Sequence, residues 1–321
     1  MRLLKLLADG NLHSGEELGA MLGVSRTAVW KQLAVWRKRG LEIDVVPGKG
    51  YCLSAPLEWW MKDALLAGLG PIAASSIREL IIEERVASTN DVVLECLRAN
   101  KISGVVCLTE EQTAGRGRRG RQWLSPFGVN FYGSIGWVFR EITHVEGLSL
   151  AVGVAVVRAL KRYGVLNAQL KWPNDVVVED AKLGGVLIEL QAETEGPCLV
   201  VIGVGLNFHL PAGASEVLGR SVTDVCAQTG FPLRRNELGS LLLDELLLLL
   251  HDYPRHGFAG VQEEWILHDA LRDMDVVVSG LDKELSGIAR GVDAQGALQI
   301  ETSQGMVSLH GGEVSLRKKT E

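Results

Sequence analysis

The segment Gly115-Arg116-Gly117-Arg118-Arg119-Gly120-Arg121 sets the tightest limit on what this chain can become. Four guanidinium groups within seven residues repel one another unless anionic groups lie among them. Glycine lets a backbone turn through positive φ and approach a ligand closely. Arginine supplies fixed, permanently charged forks that match carboxylate and phosphate oxygens. The loop therefore reads as a clamp for a small molecule carrying both kinds of group, with a merely basic surface loop as the plain alternative. The same string matches G-x-G-x-x-G, but a dinucleotide fingerprint must open a helix straight after a strand. Here Trp123, Ser125, Pro126, Phe127 and Gly128 follow, then the strand-like Val129 to Tyr132, so the proline and glycine exclude that helix.

A chain of 321 residues has room for two or three domains at ~100–200 residues each. The five cysteines (Cys52, Cys96, Cys107, Cys198 and Cys226) are scattered without a C-x-x-C, the usage of buried thiols in a reducing compartment rather than of a structural zinc site. The N-terminus lacks the apolar core of a signal peptide. The leucine run from Leu241 to Leu250 is interrupted by Asp244 and Glu245, and is far short of the ~20 residues that cross a bilayer. A cytoplasmic protein without a membrane partner is expected. Net charge is −6, against indiscriminate nucleic-acid binding by the whole chain. Yet residues 1–55 hold eight Lys and Arg against five Asp and Glu, which points to a local anion-binding module at that end.

That module reads as a winged helix-turn-helix over residues 1–56. Leu3, Leu4, Leu6 and Leu7 form a short helix, and Ser14 opens a second with Glu17 at capping-box spacing. Gly23 stops it. Ser25 caps a third helix with Ala28, Val29, Leu33 and Trp36 inward, ended by Gly40. Ile43 and Val45, a turn at Pro47-Gly48-Lys49-Gly50, then Tyr51 and Leu53 make the wing. The third helix would offer Ser25, Arg26, Thr27, Trp30 and Lys31 to a major groove, and Lys49 would reach phosphate. A protein-interaction domain with a solvated basic face is the competing reading.

From residue 57 to 270 strands outnumber helices without regular βαβ alternation, so the central domain is α+β. Leu80-Ile81-Ile82 and Val105 to Leu108 are strand-like, and Ser88-Thr89-Asn90 caps a helix through Val93 and Leu97. Leu148 to Tyr163 reads as a helix. Leu170 to Asp175 leads a short strand, Val176 to Val178, and further strands span Val186 to Leu190 and Leu199 to Val204. Lys182, beside Gly184-Gly185 and near Asn174 and Asp175, is the foremost catalytic candidate, because it can bring a point charge to a phosphoryl or carboxylate oxygen. A surface lysine paired with Asp180 is its bland alternative. Asp175 is a candidate Mg²⁺ ligand, though one carboxylate is a weak metal signal. No Walker A sequence and no nucleophile pattern emerge.

Ser88-Thr89-Asn90, Gln112 to Arg121, Trp123 with Ser125 to Gly128, Lys171 to Asp175, Lys182 to Gly185 and Gly203 to Asn207 together resemble the biotin–protein ligases. With the winged helix in front, the likeness is to their bifunctional, repressor form, and it runs over nearly the whole chain. The resemblance implies that biotin's carboxylate attacks the α-phosphorus of ATP, releasing pyrophosphate and leaving biotinyl-5′-AMP. A lysine of a biotin carboxyl carrier protein then takes the acyl group as an amide. It implies that Ser88, Thr89, Asn90, Gln112, Gly115, Arg116, Gly117, Arg118 and Lys182 hold biotin, with Trp123 along the aliphatic tail. Arg116, Arg118 and Lys182 would act on the reacting groups. Arg118, Arg119, Arg121, Lys171, Asn174, Asp175 and Asn207 would hold the nucleotide, with Asn174 and Asn207 facing adenine. ATP and Mg²⁺ are the expected cofactors. One departure stands out: residues 208–224 lack the tryptophan that covers adenine in repressor-type relatives, and Phe208 and Val222 are the nearest apolar candidates.

Short β runs from residue 271 to 321 (Val276 to Val278, Leu285 to Ala289, Leu298 to Ile300, Val307 to Leu309) suggest a small SH3-like barrel. Its ending, Gly311 to Arg317, is similar to the family's C-terminal segment. A monomeric helix-turn-helix reads only a half-site, so repression at operator DNA implies a two-fold dimer. The adenylate would be both intermediate and corepressor, ordering loops 115–121 and 208–224 for homodimer pairing. Two other readings stay open: a lipoate or octanoate ligase, and a non-catalytic transcription factor that senses a small anion.

Overall fold

The computed structural model describes residues 2–54, 57–141, 145–192, 197–280, 284–310 and 315–318. The N-terminal module is built as its capping signals require. Helix α1 (Arg2–Leu7) precedes α2 (Gly15–Leu22), whose Ser14 cap accepts from Glu17 N at 3.0 Å. Gly23 ends α2 at φ 68°, where any side chain would be strained. Ser25 then caps α3 (Arg26–Lys38) by accepting from Ala28 N at 3.2 Å. Strands β1 (Ile43–Val46) and β2 (Gly50–Leu53) pair antiparallel with Val46 opposite Gly50, placing Lys49 at the wing tip. The expected boundary at 56/57 abuts residues 55 and 56, which lie outside the described residues.

The central domain runs α4 (Lys62–Ala67), α5 (Pro71–Ser76), β3 (Glu79–Val86), α6 (Thr89–Asn100), β4 (Val105–Gln112), β5 (Phe131–Phe139), α7 (Leu148–Tyr163), β6 (Gln169–Lys171), β7 (Asp175–Val178), β8 (Ala181–Ala192) and β9 (Cys198–Leu206). It closes with α8 (Ala214–Leu218), α9 (Val225–Thr229), α10 (Arg235–His256) and α11 (Gln262–Leu267). The strands form one sheet in the order β3-β4-β5-β9-β8-β7-β6. Only the β3–β4 pair within it is parallel. Strand β8 is longer than the sequence suggests, because Lys182 to Gly185 already pair with β7 and β9.

Both faces of this sheet are covered, which explains the unbroken apolar runs of β4 and β9. Val106 and Leu108 of β4, with Val200, Ile202 and Val204 of β9, face a core shared with α7 and α10. Val105, Cys107, Leu199 and Val201 point the other way, onto Val93 and Leu97 of α6. The period-two alternation thus sorts one apolar run into two cores. The leucine-rich stretch lies inside α10, where Leu242, Leu243, Leu246, Leu247, Leu249 and Leu250 are buried. No helix among the described residues is long and apolar enough to cross a membrane.

Strands β10 (Asp275–Ser279), β11 (Leu285–Val292), β12 (Leu298–Thr302), β13 (Gly305–Leu309) and β14 (Ser315–Lys318) make an antiparallel sheet in the order β13-β12-β11-β10-β14. Among the described residues strand pairing does not join β13 to β14. Gly311 to Val314 of the C-terminal motif lie outside the described residues. Val276, Val278, Ala289, Leu298, Ile300 and Leu316 share the core of the central domain. Trp172 Nε1 also donates to the Gly296 carbonyl at 3.1 Å. The N-terminal module is joined less extensively, through Phe127, whose ring lies 5.0 Å from Trp36 and 5.6 Å from Trp59. All five cysteines are free, but only Cys107 and Cys198 are buried, so the expectation of uniformly buried thiols is too strong for Cys52, Cys96 and Cys226.

Candidate active site

One cavity of about 310 Å³ opens where the ends of β4, β8 and β9 meet the start of α6 and the arginine loop. At one end the walls are neutral and polar. The N-cap geometry of Ser88 places Thr89 and Asn90 at the head of α6, and β4 delivers Gln112 beside them. Thr89 donates from its backbone N–H and its hydroxyl to Gln112 Oε1, at 2.9 and 3.2 Å. Ser134 Oγ reaches Thr89 Oγ1 and Asn90 Oδ1, each at 2.6 Å, and Asn90 Nδ2 donates to Glu189 Oε2 at 2.8 Å. These bonds fix the side chains before any ligand arrives. The sequence reading missed Ser134 and Glu189, although a serine inside the apolar run Phe131 to Phe139 was a usable signal. Close packing requires glycine on β9: a Cβ at Gly203 would lie 2.4 Å from Asn90 Oδ1, and one at Gly205 would lie 2.5 Å from Trp123 Cε2. Trp123 therefore packs closely against the strand, and its buried Nε1 has no hydrogen-bond partner among the described residues.

The other end is cationic. Lys182, on β8, is only 14 % exposed and ion-paired with Asp175 on β7. Burial pulls its proton affinity below that of an ordinary lysine, with Arg220 and Arg121 acting in the same direction and Asp175 opposing them. The alternative pairing with Asp180 is not formed; that carboxylate accepts from Lys318 Nζ at 2.7 Å. Arg118 reaches Asn174 Oδ1 at 3.3 Å, and burial lowers its proton affinity, with Arg119 and Arg121 contributing repulsion. Lys171, Asn174 and Asp175 also line the cavity.

The arginine loop is held differently from a simple clamp. Of its glycines only Gly120 has positive φ, at 68°, whereas Arg119 itself sits at φ 60°. A non-glycine residue there stores backbone strain. Gly115 serves close packing instead, since a Cβ would meet Ser125 Oγ at 2.9 Å and Gln112 Nε2 at 3.0 Å. A Cβ at Gly117 would meet nothing nearer than 3.5 Å. Arg116 lines the cavity but already meets two carboxylates, Asp91 at 2.7 Å and Glu189 at 3.2 Å, which raise its proton affinity. It braces the loop to α6 and β8 rather than standing as a free cation. Asn207 lies outside the cavity lining, with its amide nitrogen donating to the carbonyls of Lys182 at 3.3 Å and Thr223 at 3.1 Å. Phe208 cannot cover a nucleotide, because it is fully buried against Phe131 and Trp60.

The residues do not fit a protein-held Mg²⁺. Asp175 and Asp180, the carboxylates of the cavity, are each neutralised by a lysine. Among the described residues the group of potential ligands within reach of one another is His209, Asp224 and Cys226, outside this cavity. Asp224 there caps α9 by accepting from Ala227 N at 2.8 Å.

In the N-terminal module Ser25, Arg26, Thr27, Trp30, Lys31 and Lys49 are all exposed. Val29, Leu33 and Trp36 face inward, so α3 presents a polar and aromatic face to solvent.

Comparison with known proteins matches this architecture segment by segment. Residues 1–52 match an HTH domain, 82–207 the biotin/lipoate A/B protein ligase family, and 276–317 the biotin protein ligase C terminal domain. The chain is 37% identical to the bifunctional ligase/repressor BirA of Escherichia coli over 318 residues, covering 99% of this chain and 97% of that one. It belongs to the bifunctional ligase/repressor family. The ligase is also 28% identical to the Bacillus subtilis member, over 96% of this chain and 95% of that one. A solved biotin protein ligase from Aquifex aeolicus, in complex with biotin and ATP, matches with a TM-score of 0.65 and 28% identity. That match covers 76% of this ligase and all of the Aquifex chain.

Proposed function

We propose that this ligase activates biotin with ATP and transfers it to a lysine of a biotin carboxyl carrier protein, and that biotinyl-5′-AMP also licenses it to repress at operator DNA. The observation that carries the reading is one cavity with a pre-bonded neutral end and a cationic end. Biotin has the same two ends, a neutral ureido ring rich in donors and acceptors and a carboxylate on an aliphatic tail. Ser88, Thr89, Asn90 and Gln112 match the ring, and Trp123 lies along the tail. Gly115 and Gly117 shape the loop over it, and Arg116 holds that loop closed.

Carboxylate oxygen attacks the α-phosphorus, the bond to the bridging oxygen breaks, and its electron pair leaves with pyrophosphate. Negative charge accumulates on oxygens around the α-phosphorus, next to Lys182 and Arg118, with Arg119, Arg121 and Lys171 around the phosphates. The mixed anhydride is then opened by the carrier lysine's amine, which gives an amide and releases AMP. Catalysis of this kind needs positioning and charge rather than a nucleophilic side chain. Mg²⁺ belongs to the nucleotide substrate in this scheme, since the protein's own carboxylates are occupied.

A lipoate or octanoate substrate would leave the hydrogen-bonding end unmatched, because a dithiolane or alkyl terminus offers it no partners. A sensor without chemistry would have no use for several cations around one carboxylate. The test is to mix the protein with ATP, Mg²⁺, biotin and an apo carrier domain, and to weigh the carrier. A gain of one biotin, absent with Lys182→Ala and absent with lipoate in place of biotin, is expected. An unmodified carrier, or equal use of lipoate, would overturn the reading.

A further inference from the structure

The segment between β9 and α9 carries a charged residue that the established motifs leave out. After the short helix α8, Gly219 turns the chain through φ 60° and Arg220 emerges into the wall of the cavity. The segment is not a loose flap. Lys182 N donates to the Ser221 carbonyl at 3.1 Å, and Thr223 N donates to the Lys182 carbonyl at 3.0 Å, so residues 221–223 run as a bridge beside the start of β8. Asn207 closes the other side by donating to the Thr223 carbonyl at 3.1 Å. Arg220 is thereby fixed near Lys182 by its own backbone.

The electrostatic setting of Arg220 is unusual. Its guanidinium makes no hydrogen bond or ion pair among the described residues. The two carboxylates that share the cavity with it are taken, Asp175 by Lys182 and Asp180 by Lys318. Arg220, half-buried, and Arg121 each repel the Lys182 ammonium in the same cavity, and an incoming polyanion relieves that repulsion. Arginine also offers a planar fork suited to two phosphate oxygens at once.

Resting on the ATP-dependent reading above, we propose that Arg220 binds the β- and γ-phosphates of the nucleotide and neutralises pyrophosphate as it leaves. The proposal separates the two half-reactions. During adenylation the α–β bridging oxygen takes the electron pair of the breaking P–O bond, and charge grows on the group Arg220 holds. Biotinyl-5′-AMP no longer carries those phosphates, so transfer to the carrier lysine has no use for this residue. The segment thus supplies a cation at the polyphosphate in a chain whose residues 208–224 hold no tryptophan to cover the base.

The experiment compares wild type, Arg220→Gln and Arg220→Lys. Inorganic pyrophosphate binding is measured by calorimetry, the KM for ATP by pyrophosphate release, and transfer to the carrier from synthetic biotinyl-5′-AMP. Losing one charge-assisted contact should weaken pyrophosphate binding and raise the KM for ATP roughly ten- to a hundredfold in the glutamine variant. Lysine should restore most of both, and biotin affinity and the transfer rate should stay within twofold. Unchanged pyrophosphate binding in Arg220→Gln, or an equal loss in transfer from the adenylate, would overturn the assignment. Wild-type protein that binds pyrophosphate but releases none from ATP would sink the enzymatic reading instead, while leaving the calorimetric comparison decisive for Arg220.

Discussion

Lys182 donates to Asp175 across the hairpin of β7 and β8, so the cavity's most deeply placed cation is held by a carboxylate seven residues before it. Burial outweighs that partner and keeps the ammonium easier to deprotonate than an ordinary lysine. The charged form is therefore lost as pH rises through a value below that of an ordinary lysine. Pyrophosphate release should fall along that alkaline limb. Lys182→Arg, whose charge persists at higher pH, should shift the limb upward while lowering the rate at neutral pH through altered geometry. An unmoved limb in the arginine variant would show that another group titrates.

Gly205 is a second point of leverage. Its alanine variant must displace Trp123, since the new Cβ would stand 2.5 Å from the indole. Biotin affinity should drop at least tenfold, roughly the effect of a substrate wall moved by an ångström. Far-ultraviolet circular dichroism should stay unchanged. Retained affinity would mean that Trp123 does not flank the ligand.

On the face of α3 proposed to meet DNA, Arg26 and Lys31 are exposed and far in sequence from the cavity residues. Changing either to alanine should cost about 1–3 kcal/mol of operator binding, and the double change should abolish it. Biotin transfer should stay within twofold. Sedimentation with and without biotinyl-5′-AMP should show a dimer appearing with the adenylate; a strict monomer at micromolar concentration would end the dimer proposal.

Asp269 provides a stability test away from the site. It is buried beside Leu271, which donates to its Oδ1 at 3.0 Å, while Oδ2 lacks a partner among the described residues. Burial raises its pKa from 3.8 to about 6. The folded protein thus binds more protons than the unfolded chain between those values, and its stability falls as pH rises through that window. The fall should approach about 3 kcal/mol and level off above the folded value, at ~1.4 kcal/mol for each unit. Asp269→Asn should remove this dependence, and urea unfolding at a series of pH values from acid to neutral would measure it.

Much of this was legible in local signals. The Ser14 and Ser25 caps, the wing turn, the span Leu148 to Tyr163 and the clustering of Ser88 to Asn90 with Gln112 all rest on short-range hydrogen bonding or periodicity, and the structure has them where the sequence places them. Local pattern misjudged groups whose partners are distant. Phe127, read within the cavity motif, inserts between Trp36 and Trp59, and Arg39 crosses from α3 to Glu111 at 3.0 Å. No spacing rule links positions so far apart.

The sequence by itself determined the order of the modules, the capped helix starts and the chemical types gathered for the site, because each follows from neighbours along the chain. Only the tertiary structure decided which charges remain available. Arg116 is neutralised by Asp91 and Glu189, Lys182 takes Asp175 rather than Asp180, Phe208 is buried under Trp60, and Arg220 is left facing the cavity without a partner among the described residues. Charge pairing acts through space over a few ångströms, and those distances are set by the packing of the sheet rather than by position along the chain.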